Sequence, residues 1–208
     1  MVKIKEMPFN EKFDAVINYT KLLESFALPL VKDNKGEEKV AELKRIWQKE
    51  SQPIPESGTY EEKYEIAFHN WLHNWQSAYI FANDQLGEGG AEKFEKAAIN
   101  ANEQRSAGTA LQLYKFIRAI SRKTAFQTFM KQIAYQYQVF TPLFLSELSG
   151  QGAVMEIPQC KVLDVEGCGD FCTVGCQKAF PVVVKDQFNV KVKFEPKGKS
   201  CIATYAPF

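Results

Sequence analysis

The sequence predicts an α+β fold: a mostly helical N-terminal part followed by a small antiparallel sheet with a Cys-bearing helix. Three observations carry that expectation. Amphipathic 3.6-residue periodicity runs from Asn10 to about Pro142, and at "SGQG" (149–152) the text changes to alternating, strand-like runs. The order is helices first, then strand–helix–hairpin, with no βαβ alternation. The natural partition is a helical part, 1–150, and a strand–helix–hairpin part, 151–208. About 55 residues around one three-stranded sheet would bury little core alone, so the two are expected to form one integrated domain.

Asn10 is placed to cap a first helix with Phe13, Val16, Ile17, Thr20, Leu23 and Phe26 on one face, ending near Pro29. Residues 37–50 set Val40, Leu43 and Trp47 together, and "SQPIPESG" breaks the chain. A third helix over about 59–82 brings Tyr60, Tyr64, Ala67, Phe68, Trp71, Trp75, Ala78 and Tyr79 into one arc, a broad aromatic face for the core. After "GEGG" a modest Ala-rich helix, 91–104, turns Phe94, Ala97, Ala98 and Ala101 inward. From Gly108 to Pro142 the stripe Leu113–Ile117–Ile120 is half a turn out of phase with Phe126–Phe129–Met130–Ile133–Tyr137–Phe140. The change falls at "SRKT" (121–124) and splits or kinks the helix there. Then come a strand in "AVMEIPQCKVL", a helix from Gly169 to about Lys185, and a hairpin turning at Pro-Lys-Gly.

The formal net charge is +1, from 26 basic and 25 acidic residues, so no global field gathers nucleic acid. The start "MVKIKEMPFNEKF" has no apolar core of a signal peptide, and no stretch has the length of a membrane span, so the chain is expected to be cytoplasmic. Assembly of identical copies stays open.

Five cysteines are the most concentrated chemistry. Cys160, Cys168, Cys172 and Cys176 follow one another as C-x7-C-x3-C-x3-C, and Cys201 lies in the last strand. In a reducing compartment, disulfides are the least expected use. Three uses remain: buried small hydrophobes, soft ligands, or a reactive thiol. As ligands, all five could hold a metal, an iron–sulfur cluster or a tetrapyrrole, although the spacing is neither a zinc ribbon nor a ferredoxin run. As nucleophiles, Cys168 and Cys172 stand near the start of the helix beginning at Gly169, whose dipole favours thiolate, and Asp170 beside them could orient an amine or raise the thiol pKa.

His69 and His73, one turn apart in "FHNWLHNW", have two-ligand metal spacing and could serve as a base. On the helix they share a stripe with Glu62 and Glu65, opposite the aromatic arc, that meets either solvent or a second protein layer. Between Glu103 and Glu147 no acid occurs, while Arg105, Lys115, Arg118, Arg122, Lys123 and Lys131 supply six positive charges. Arg118 and Arg122 are candidates for holding a substrate carboxylate, the alternatives being a docking face or a solvated surface.

The stretch "CKVLDVEGCGDFCTVGCQKAFPVVVKDQFNVKVKFEPKGKSCIATYAPF" resembles the L-2-amino-thiazoline-4-carboxylic acid hydrolase-like family. By that resemblance Cys168, Asp170 and Cys201 match the most characteristic positions and Cys160 the strand cysteine. It implies a small-molecule hydrolase acting on a C–S or C–N bond of a small sulfur- or nitrogen-containing carboxylic acid. Cys168 or Cys201 would attack, Asp170 would orient the amine or relay a proton, and no cofactor is required. The ending is also similar to vinyl-reductase-type binding domains, which implies a non-enzymatic sensory or redox module. The extra Cys172 and Cys176 depart from the hydrolase pattern.

Overall fold

The computed structural model describes residues 4–142 and 144–208. It has two compact units interleaved along the chain. Pro8–Ala101 with Val165–Gly175 forms a helical unit, and residues 4–7, Asn102–Asp164 and Cys176–Phe208 form a sheet unit. The α+β class expected from the sequence is what the chain adopts. Among the described residues no helix is long and apolar enough to cross a membrane.

In the helical unit, α1 (Phe9–Lys35) and α2 (Glu37–Glu50) pack along α3 (Tyr60–Gln85), and α4 (Gly90–Ser106) follows. Their shared core includes Leu23, Phe26, Val31, Leu43, Trp47, Trp75, Phe81 and Phe94. The first helix passes through Pro29 instead of stopping there. Pro29 lacks an N–H for the carbonyl one turn back, yet burial of Ala27 and Val31 on either side keeps the chain wound. Gly36, with a φ of 84°, ends it one residue before α2. A capping box starts α3: Glu62 N–H donates to Thr59 Oγ1 at 3.2 Å, and Thr59 N–H donates to Glu62 Oε2 at 2.8 Å. Asn70 clips the proline-rich connection to α3 by accepting from Gln52 N–H and donating to Gln52 O, at 2.8 and 2.7 Å.

In the sheet unit, α5 (Thr109–Ile120) and α6 (Arg122–Tyr137) are separate helices. Ser121 lies between them in an extended conformation and caps α6 by accepting from Thr124 N–H at 3.2 Å. Four antiparallel strands follow in the order β1-β2-β4-β3, with β1 at Phe144–Leu148, β2 at Ala153–Ile157, β3 at Val190–Lys197 and β4 at Ser200–Pro207. The sequence predicts three strands. The fourth, β1, reads "FLSEL", with no β-branched residue and leucines that fit helical spacing equally well. Inward residues Leu145, Ala153, Met155, Ile157, Val190, Phe194, Cys201, Ala203 and Tyr205 meet Phe126, Phe129 and Met130 of α6. Residues 4–7 are pinned by Gln138, which accepts from Met7 N–H at 2.9 Å and donates to Lys5 O at 2.8 Å.

A single turn, α7 (Lys161–Asp164), precedes the cysteine-rich stretch. Helix is expected from Gly169 to about Lys185, and helical residues do start at Gly169; the stretch Phe171–Ala179 is a π-helix, and α8 (Phe180–Phe188) is α-helical. Pro181 sits in the first turn of α8, directly after the π-helix.

Gly90 is the tightest glycine: a Cβ there would run into the Ala82 carbonyl at the end of α3. Gly90→Ala is therefore expected to lower unfolding stability by about 1–3 kcal/mol, measured by urea denaturation. Thr59→Ala, which removes the cap, should lower it by about 1 kcal/mol.

Candidate functional site

The polar stripe on α3 does both things open to it. At its N-terminal end Glu62 and His69 are exposed; one turn later His73 is half-buried, and beyond it Gln76 is buried. The cover at that end is the segment Val165–Gly175, whose Phe171 and Val174 join the helical core. Phe171 meets Trp71 and Trp75 edge-on, each ring 5.0 Å away. Its fold begins with two tight turns, Cys168 N–H to Val165 O and Phe171 N–H to Cys168 O, each 3.3 Å, with Gly167 at a φ of 76° between.

This brings Asp170 to Gln76. The Gln76 Nε2 group donates to Asp170 Oδ2 at 2.6 Å, a short, charge-assisted contact. Only the amide nitrogen can donate to a carboxylate, so Gln76 Oε1 is turned away, and among the described residues no donor reaches it although it is buried. An orphaned buried acceptor is unfavourable by about 1–3 kcal/mol unless a water or another donor reaches it. Asp170 is half-buried, so the pair is not wholly enclosed. Gln76 carries no sequence signal: by winding it belongs to the polar stripe, and only the covering segment changes its role.

Cys168 lies in the same unit, fully buried. Burial pushes its thiol up to about 11, and the carboxylates of Glu50 and Asp170 reinforce the shift. The thiolate-favouring dipole expected from a helix start does not prevail. The residue stands directly before the helix that starts at Gly169, but it is buried and two carboxylates lie near it.

The remaining thiols are distributed. Cys172 belongs with Cys168 to the helical unit and is half-buried. Cys160, Cys176 and Cys201 belong to the sheet unit. Cys201 is buried on the inner sheet face, its Sγ 3.7 Å from the carbonyl of Ile202. All five are free. The Tyr205 hydroxyl is also enclosed in the sheet unit, and burial drives its ionisation far above the ordinary tyrosine range.

The metal-ligand expectation for Cys160, Cys168, Cys172, Cys176 and Cys201, and for His69 and His73, finds no support in this arrangement. Among the described residues no group of three or more His, Cys, Asp or Glu side chains stands where it could hold a metal ion. The physical reason is the winding. On one regular α-helix residues 168, 172 and 176 would share a face, but Cys168 precedes the helix, which is π-wound at Cys172 and Cys176. The rings of His69 and His73 are 6.4 Å apart and stacked, with no third ligand. Arg118, half-buried on α5, and Arg122, exposed at the start of α6, belong to the sheet unit and not to the unit of Asp170.

No family model, curated protein or solved structure matches the chain. The hydrolase-like resemblance of residues 160–208 therefore rests on those residues alone.

Because the folded Cys168 pKa is raised, protonation stabilises the fold below the unfolded thiol value near 9. That stabilisation is lost as pH rises toward about 11. Peptide mapping after iodoacetamide treatment should show Cys168 unmodified at neutral pH while half-buried Cys172 is alkylated, with labelling of Cys168 rising only in the alkaline window.

Proposed function

We propose that the chain binds a small nitrogen-containing acid through an N–H-bearing edge at the Gln76–Asp170 pair, in keeping with the hydrolase-like resemblance of its C-terminal quarter. The observation that carries this reading is the buried, unpartnered Gln76 Oε1 beside a carboxylate. An amine supplies one or two donors to such a pair, and an amidine-like edge, as in a 2-amino-thiazoline ring, supplies two side by side. One would reach Gln76 Oε1 and the other Asp170, with the ligand's positive charge offsetting the carboxylate.

Hydrolysis of a C–S or C–N bond is the reaction the resemblance attaches to such a ligand. Cys168 and Cys172 each stand two positions from Asp170, and the raised pKa of Cys168 makes it a protonated neighbour in the ligand-free chain, not a standing nucleophile. A cationic ligand beside Asp170 would remove part of the negative potential that holds the proton on, so binding and thiol activation are linked in this proposal.

Calorimetric titration with 2-amino-thiazoline-4-carboxylate tests the reading. Saturable binding is expected, weakened about tenfold or more by Asp170→Asn, which keeps the shape and removes the charge. Loss of the ring's ultraviolet absorbance, abolished by Cys168→Ser while binding persists, would report the hydrolytic step. Absence of binding, or equal affinity in Asp170→Asn, would overturn the proposal.

A further inference from the structure

In the sheet unit, α5 buries Leu111 and Tyr114 on one side, and the Tyr114 hydroxyl donates to Phe188 O at 2.6 Å. Its other side is apolar as well. Leu113, Phe116 and Ile120 are 57%, 65% and 73% exposed, and at 100° per residue their side chains leave the helix within an arc of about 60°. Three large exposed hydrophobic side chains on one stripe need a partner of some kind.

The surrounding charge says which. From Gln104 to Ser146 the chain has six lysines and arginines and no acid, although the whole protein carries only +1. Lys115 and, directly past the end of the stripe, Arg122 and Lys123 are exposed. A partner for this surface is apolar at its contact and anionic around it. A second copy presenting the same stripe would bring like charges together. The three side chains also expose roughly 300–400 Å², about half of what each side of a stable protein–protein interface buries. A lipid surface needs no minimum area. It accepts apolar side chains individually, while lysine and arginine reach outward to its phosphates.

We propose that α5 is a peripheral membrane contact: Leu113, Phe116 and Ile120 enter the headgroup boundary of an anionic bilayer, and Lys115, Arg122 and Lys123 engage its charged headgroups. The contact is interfacial and reversible, since one short stripe supplies no anchor comparable to a spanning helix. It is independent of the Gln76–Asp170 site, which lies in the other unit.

Vesicle co-sedimentation of the full chain tests the proposal. Vesicles of phosphatidylcholine with about one-third phosphatidylserine should retain the protein, neutral phosphatidylcholine vesicles should not, and added salt should release it. Leu113→Gln with Phe116→Gln should weaken retention at least about tenfold, and so should Arg122→Glu with Lys123→Glu. All four positions are exposed, so both variants should keep the native circular dichroism and melting temperature; the charge pair remains informative if the apolar pair does not fold. Failure of the native chain to bind anionic vesicles would overturn the proposal. So would retention unchanged in either variant, binding to polyglutamate but not to vesicles, or a native dimer that the Leu113 and Phe116 changes convert to monomer.

Discussion

The ring of Phe171, edge-on to both Trp71 and Trp75, holds the segment Val165–Gly175 against α3, and the polar chemistry of the helical unit follows from that contact. Each aromatic pair of this geometry is worth about 0.5–1.5 kcal/mol beyond the area it buries. Burial of Val174 beside it adds a second fixed point. Between those anchors and the tight turns at 165–171, Asp170 has little freedom, and its carboxylate comes to rest 2.6 Å from the Gln76 amide. Without the covering segment, Gln76 would be one more polar residue on the outer stripe of an amphipathic helix.

The same contact explains why the thiol beside it is quiet. Docking the segment carries Cys168 into the interior, where the charged form loses hydration, and sets it near two carboxylates. Both effects favour the protonated thiol. A cationic or N–H-donating ligand at Asp170 reverses part of the second effect and none of the first. In the proposed site, ligand recognition and thiol chemistry would be coupled through one carboxylate, with Asp170 as the pivot and Cys168 a conditional participant.

How much of this was legible in the sequence depends on the element. The helices from α1 to α6 carry 3.6-residue patterns, modest in α4, and the break at Ser121 was visible as a change of phase between Ile120 and Phe126. The β3–β4 hairpin was legible from alternation, because Val190, Val192 and Phe194 alternate with Lys191 and Lys193. Pro29 misled because its local cost is smaller than the burial on either side of it, and β1 was silent because "FLSEL" has no strand-specific residue. Asp170 could be singled out by its company of cysteines. Gln76 could not, since its partner is 94 positions away. The cysteine spacing suggested one shared face only on the assumption of α-helical winding, and the turn at Cys168 with the π-helix after it removes that assumption.

The most direct test of the account is solution NMR of the Gln76 side-chain amide. One Nε2 proton shifted downfield and slow to exchange is expected in the native chain, returning to ordinary shift and fast exchange in Phe171→Ala, where Asp170 is no longer held in place. Two rapidly exchanging, ordinary amide protons in the native chain would contradict it, as would a protected proton that persists when the Phe171 ring is gone.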